Sequence, residues 1–436
     1  MRILDVFRHR TVANAGWIIA GRMANKLLAF LVGILTARYL GPDNYGVINY
    51  AAAYTTLFAS VCSLGINSVL VKELVEHPDQ EGETIGTTIV LQTLSGILSA
   101  GMIVGIVSII DRREPMTVWV VALYSLGAVF QAAGTLSYWF QAKLMSKYPA
   151  IASLIAYTLT SAYKIFLLAS GKHILWFAVA NSVEYLVVAG VLYAAYRKQG
   201  GPTPRGSLRK AGELLHSSHS FILTGLMVSI YASTDKFMLK QMLDEASVGY
   251  YSLAASFSTA WVFVLQAIVD SMYPGIVRER SLDRRRYERR NRQLYAIVFY
   301  VSILMSLAVA LAAGPLIRTL YGAAYLPAVK PLRVIVWYTT FSYLGVARNA
   351  WIVCEGQQRY LQYIYLSSAL ANVGLNALLI PRFGASGAAA ASLVTQMVTI
   401  ILPVWIRPLR PNARLMWEAV LLRDTLPNRK RTEEDA

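Results

Sequence analysis

With 436 residues, 56% of them hydrophobic, only 15% charged and a mean hydropathy of +0.46, the chain is too apolar for a water-soluble domain, in which about 25% of residues are charged. Its formal charge of +17 invites nucleic acid as a partner, yet no Gly/aromatic RNA-binding motif, zinc-finger spacing or basic DNA-reading helix accompanies that charge, so no nucleic acid is expected. The two cysteines, Cys62 and Cys354, lie in or at the end of apolar stretches and read as small core residues, too few for a disulfide framework or a metal site.

The predicted elements are hydrophobic helices. The first, 14–39, is too long for the apolar core of a signal peptide, carries Arg22 at its centre and lacks a small-residue cleavage site, so it is expected to stay in the protein. It ends at Tyr39-Leu40-Gly41-Pro42, a Gly-Pro turn. Further spans follow at 45–67, 85–110, 117–140, 149–170 and 174–196. A second set lies at 220–243, 249–272, 293–317, 331–354, 361–381 and 384–406. Each is near the roughly 20 residues that a bilayer demands. The fold class is therefore all-α, a polytopic membrane protein of about twelve transmembrane helices.

The connections alternate in charge. One set, with the N-terminus and the tail 407–436, holds 27 of the 41 Lys and Arg, and the other holds 7. The positive-inside rule then puts both termini in the cytoplasm, across the cytoplasmic (inner) membrane. The richest basic connection, Arg278 to Arg292, is expected as a loop along anionic lipid, or as a surface that recruits a cytoplasmic glycosyltransferase. The connections on the far side are all short, the longest near 318–330, which argues against an external catalytic loop and against a glycan polymerase or ligase. With no GxxxxGK[ST] sequence either, the chain is not expected to hydrolyse ATP. No cofactor and no enzymatic activity are expected.

An internal repeat divides the chain. Gly46 to Thr56 (GVINYAAAYTT) aligns with Gly249 to Thr259 (GYYSLAASFST) at an offset of 203, and Trp139 with Tyr148 aligns with Trp351 with Tyr360 at 212. The expected organisation is two pseudo-symmetric six-helix lobes, 1–196 and 220–406, joined by a cytoplasmic linker, 197–219, and followed by the tail 407–436. Two such halves commonly enclose a transport site.

Seven cations remain inside spans: Arg22, Lys26, Lys164, Lys236, Lys240, Arg333 and Arg348. A cation at mid-bilayer costs roughly 2.5–3.5 kcal/mol on insertion scales, so several of them point to a wet, positive interior that handles an anion. Arg22 and Lys26, four apart, share a helix face, as do Ser229, Ser233, Lys236 and Lys240. Lys240 and Arg333 lie near span ends and read as snorkelling residues. Lys164 and Arg348 fit either a cavity or a structural ion pair. The intramembrane acids Asp235 and Glu184 fit either ion coupling or structural pairing. Tyr39 and Tyr321, near the external mouth, are either belt residues or sugar-stacking platforms.

Ala37 to Gly46 (ARYLGPDNYG), Leu64-Gly65-Ile66-Asn67, Lys72-Glu73-Leu74, Thr234-Asp235-Lys236 and Ile380 to Ala388 (IPRFGASGA) resemble the polysaccharide (O-antigen and exopolysaccharide repeat-unit) flippases of the MATE-like multidrug/oligosaccharidyl-lipid/polysaccharide superfamily. The resemblance implies a MATE-like fold and alternating-access transfer of a polyprenyl-pyrophosphate-linked oligosaccharide to the outer leaflet, coupled to an ion gradient. Arg22, Lys26 and Lys236, with Lys164 or Arg348, would grip the pyrophosphate, and Asp235 or Glu184 would carry the coupling ion. Partners would be the lipid-linked glycan, membrane lipids, and the glycosyltransferases and polymerase of the same pathway. The alternative within the superfamily is a small-molecule antiporter, disfavoured for organic cations because intramembrane cations outnumber acids. A lipid II flippase would need two further spans.

Overall fold

The computed structural model describes the backbone of residues 2–423 and the side chains of residues 25, 28–223 and 225–423. Every regular element among them is helical. Among the described residues nine stretches are long and apolar enough to cross a membrane. The expected twelve differ from these because the first two spans share one stretch and because the spans expected at 220–243 and 331–354 are not among the nine.

The contacts divide the chain into two compact units, Met1–Phe237 and Met238–Ala436. In the first, α1 (Arg2–Ser63) is interrupted at Gly41, whose φ of 74° is followed by Pro42. A left-handed glycine costs little there, and proline supplies no N–H to continue the ladder. The Gly-Pro turn expected from the sequence thus separates two spans. There follow α2 (Asn67–Glu76), α3 (Glu81–Ile110), α4 (Pro115–Ser125), α5 (Gly127–Phe130), α6 (Leu136–Ala142), α7 (Lys147–Ala169), α8 (Ile174–Lys198) and α9 (Leu208–Met242), which contains the border between the units. The core of this unit gathers Ile66, Leu70, Ile85, Trp139, Phe140 and Tyr196.

The stretch 197–219 has linker composition, but it is tied down. Arg205 donates its backbone N–H to Gly82 at 2.9 Å, and Ser207 donates to Thr87 Oγ1 at 2.9 Å. A Cβ on Gly86 would stand 2.3 Å from the Arg205 nitrogen, so only glycine permits this approach. Buried Lys210 donates to Glu73 at 2.6 Å and Gln80 at 2.9 Å. Burial would pull its ammonium pKa down, but the Glu73 and Glu213 carboxylates outweigh that and hold it above the ordinary lysine value.

The second unit contains α10 (Glu245–Thr259), α11 (Val262–Leu282), α12 (Arg284–Leu320), α13 (Val329–Ile335), α14 (Tyr338–Cys354), α15 (Arg359–Phe383), α16 (Ala385–Ile401) and α17 (Arg410–Val420). The basic stretch 278–292, expected as a loop, is instead the end of α11 and the start of α12. Asp283 makes the difference: its carboxylate accepts from the N–H groups of Arg285 (2.7 Å) and Arg286 (3.3 Å), capping α12. Part of the expected tail is also folded. Helix α17 packs on α12, with Asn412 Nδ2 donating to the Tyr295 hydroxyl at 2.6 Å and Arg292 to Glu418 at 2.8 Å.

The repeat at offset 212 recurs as backbone geometry. Helix α6 ends with Met145 N–H on Phe140 O (2.7 Å) and Leu144 N–H on Gln141 O (3.0 Å). Helix α14 ends with Gln357 N–H on Ile352 O (2.9 Å) and Gly356 N–H on Val353 O (3.1 Å). Both are Schellman caps with the turning residue in the left-handed region, φ 56° at Leu144 and 69° at Gly356. The next helices open alike, Lys147 over the Tyr148 ring and Arg359 over the Tyr360 ring, each 4.9 Å from the centroid.

Candidate functional site

Arg348, the most deeply buried of the candidate cations among the described residues, lies on α14 with 1% of its surface exposed. Its partner on α16 follows from the sequence. Thr399 sits in the last turn of α16, and the residue four further on is Pro403, which has no N–H to offer. The orphaned Thr399 carbonyl accepts instead from Arg348 Nη1, and the negative end of the helix dipole favours a cation there. Nη2 and Nε donate to Asn349 Oδ1 at 2.9 and 3.3 Å, and Asn349 Nδ2 donates to the Tyr365 hydroxyl at 2.7 Å. These acceptors are all neutral. They orient the guanidinium, and no carboxylate among the described residues pairs with it, so its burial carries a desolvation cost of several kcal/mol.

In the first unit helices α7 and α8 pack along one another, which brings Glu184 within electrostatic reach of Lys164, Tyr157, Tyr124 and Tyr185, without an ion pair to Lys164. Tyr157 and Lys164 are seven apart and share a face of α7. Asp235 is buried on α9, and half-buried Lys236 next to it feels its charge. The side chains of Arg22 and Lys26 lie outside the described residues.

The end-of-span positions are occupied by local partners. Lys240 is buried and donates to Glu245 at 2.6 Å, which replaces the expected snorkelling, whereas Arg333 is exposed. The Tyr39 hydroxyl donates to the Lys172 carbonyl at 3.1 Å and its ring tilts against Phe177. Tyr321 packs edge-on to Phe257 and Tyr325.

Two features were not foreseen. Asp111, assigned from sequence to a short external loop, is buried at the end of α3, where it accepts from the Tyr50 hydroxyl at 3.0 Å; Tyr54 lies 3.2 Å from Tyr50, and Phe237 packs edge-on to both rings. Two tyrosines four apart on one helix face were the available signal. The second is a cleft of about 580 Å³ in the second unit, lined by Tyr273, Arg280, Arg284, Val353, Cys354 and Glu355. Among the described residues no group of His, Cys, Asp or Glu is placed to hold a metal ion.

The arrangement, long apolar helices around buried cations and a tyrosine-linked carboxylate, defines a multi-pass membrane protein. The backbone is similar to that of three solved proteins. One is the lipid II flippase MurJ in an inward closed conformation (TM-score 0.72, 13% identity, 92% of this chain and 90% of that one covered). A second is an inward-facing multidrug resistance MATE transporter of the MOP superfamily (0.67, 13%, 89% and 95%). A third is a eukaryotic MATE transporter (0.61, 16%, 94% and 98%). No curated protein matches the chain by sequence. Residues 11–279, well over half of the chain, match the family described as polysaccharide biosynthesis protein, and the chain belongs to that family. Its fold is MATE-like, as the sequence resemblance implied.

Proposed function

We propose that the protein is a flippase that moves a polyprenyl-pyrophosphate-linked oligosaccharide repeat unit from the cytoplasmic to the outer leaflet by alternating access. The observation that carries this reading is Arg348: a buried guanidinium held by neutral acceptors is a cation waiting for an anion. A pyrophosphate supplies that charge, and family membership supplies the glycan context. Arg22, Lys26, Lys236 and Lys164 are proposed as the further headgroup cations, and Asp235 and Glu184 as sites where a coupling ion exchanges. The lobes 1–196 and 220–406 would rock about the substrate, with the termini in the cytoplasm and the chain in the inner membrane. Glycosyltransferases and a polymerase of the same pathway are proposed as partners.

One observation favours a second reading. Glu184, within electrostatic reach of Tyr124, Tyr157 and Tyr185, has the acidic, aromatic character suited to a small organic cation, as in an antiporter. The deciding experiment is a leaflet assay. In oriented vesicles from a gene-deletion strain, lipid-linked glycan should collect on the cytoplasmic leaflet, be cleared by the intact gene, and stay uncleared with Arg348→Gln. An unchanged leaflet distribution on deletion would reject the flippase and turn attention to ion-driven uptake of small molecules.

A further inference from the structure

Helix α17 has two unlike faces. Leu415, Met416 and Ala419 are buried in the core of the second unit, while exposed Arg410, Arg414 and Trp417, spaced i, i+4, i+7 around buried Ala413, form the opposite stripe. That stripe and the turn that leaves α16 enclose a groove of about 380 Å³, walled by Val404, Trp405 and Trp417, with Arg410 and Arg414 at its rim. Trp405 is 76% exposed and Trp417 61%, so two indoles face outward side by side with two arginines. Tryptophan in such a place is characteristic of the membrane–water boundary. The position agrees, because the groove begins where the apolar α16 gives way to Arg407.

The charge balance at the rim is positive. Arg410 Nε donates to the backbone carbonyl of Val404 at 3.1 Å, which aims the guanidinium without neutralising it. Arg414 meets Glu418 at 2.7 Å, but Glu418 also accepts from Arg292 at 2.8 Å, so two arginines share one carboxylate. An occupant must therefore combine an anionic head with an apolar body, and must be present where a spanning helix leaves the bilayer.

We propose that this groove binds one anionic phospholipid, its phosphate held by Arg410 and Arg414 and the start of its acyl chains lying between Trp405 and Trp417. Because α17 is docked on α12 through its other face, a lipid here would clamp the end of the second unit to the membrane surface. The proposal is independent of the flippase reading and needs no lipid-linked glycan.

The test uses the full chain, with phosphatidylglycerol as the probe and phosphatidylcholine as the neutral reference. Native mass spectrometry should show one tightly retained phosphatidylglycerol on the wild type, weakened roughly 30-fold in the Arg410→Gln/Arg414→Gln double variant, as expected for two basic residues at an anionic surface. An Arg112→Gln/Arg113→Gln double variant, which removes the same charge from the exposed turn after α3, should retain it. Brominated phosphatidylglycerol should quench tryptophan fluorescence, and Trp405→Phe should lose part of that quenching. Equal retention by both double variants, equal retention of phosphatidylcholine, or quenching unaffected by Trp405→Phe would each overturn the proposal.

Discussion

Arg284, at the start of α12, donates to Glu355, just past the end of α14, at 2.8 Å, and this pair is the charge-reversed counterpart of Glu81 with Lys143. The repeat offsets of 203 and 212 carry Glu81 onto Arg284 and Lys143 onto Glu355. In the first unit Trp139 also donates to Glu81 at 2.7 Å. Each unit thus staples the same two helix ends by an ion pair, with opposite polarity.

That pairing should appear as coupling. Arg284→Glu and Glu355→Arg should each lower the melting temperature, and the double exchange should recover most of the loss. Arg284 is half exposed, so the coupling in a double-mutant cycle should be modest, about 0.5–1 kcal/mol. Additive losses in thermal melts would remove the staple.

Arg348 separates function from stability. Arg348→Met keeps the volume and removes a buried charge, a change that is often neutral or stabilising. It also leaves the Thr399 carbonyl unpaired, which costs about 1–3 kcal/mol. The expected outcome is a melting temperature close to wild type with export abolished. A large fall in melting temperature, with export following protein level, would make Arg348 a structural residue.

The two Schellman caps make opposite predictions. Gly356 has open space around the position of a Cβ, so Gly356→Leu should destabilise through backbone conformation alone, by roughly 1–2 kcal/mol. Leu144 already stands in the same left-handed conformation, and Leu144→Gly should stabilise by a few tenths of a kcal/mol to about 1 kcal/mol, net of chain entropy. Thermal melts of the two variants should move in opposite directions.

Glu418 sets an acid limit on the docking of α17. Burial raises its carboxyl pKa, but hydrogen bonds from Arg414 and Arg292 outweigh that and leave it below the ordinary glutamate value. A depressed folded pKa means that the contribution is fully present above the unfolded value, about 4.3, and is lost as pH falls through the folded one. Protection of the α17 amides from hydrogen exchange, measured against their intrinsic rates, should therefore hold down to that range and fall below it. Glu418→Gln should raise exchange at neutral pH and flatten this dependence.

Much of the fold was legible in the sequence because membrane burial imposes a coarse rule: runs of apolar residues, punctuated by polar turns, become helices. The Gly41-Pro42 break and the repeat around Trp139 and Trp351 followed from residue type and spacing. The stretch 278–292 is expected as a loop because hydropathy rewards apolar length, whereas Asp283 and Arg292 order it through single charged contacts, as Lys210 does within the linker 197–219. Of the candidate site residues, Lys164 and Glu184 were legible as intramembrane charges, but their proximity was not, since they lie on different helices.

The chain's own order of residues determined that this is an all-helical membrane protein of the polysaccharide biosynthesis family, with buried cations and a two-fold repeat, because hydropathy, charge and motif are local properties. Only the tertiary structure decided what each charge meets. Arg348 and Lys164 look alike in sequence, two cations in apolar spans; packing sets one against the carbonyl that Pro403 leaves unpaired and brings the other within electrostatic reach of Glu184. Electrostatic energy depends on distance through space, and that distance exists only once the helices have packed.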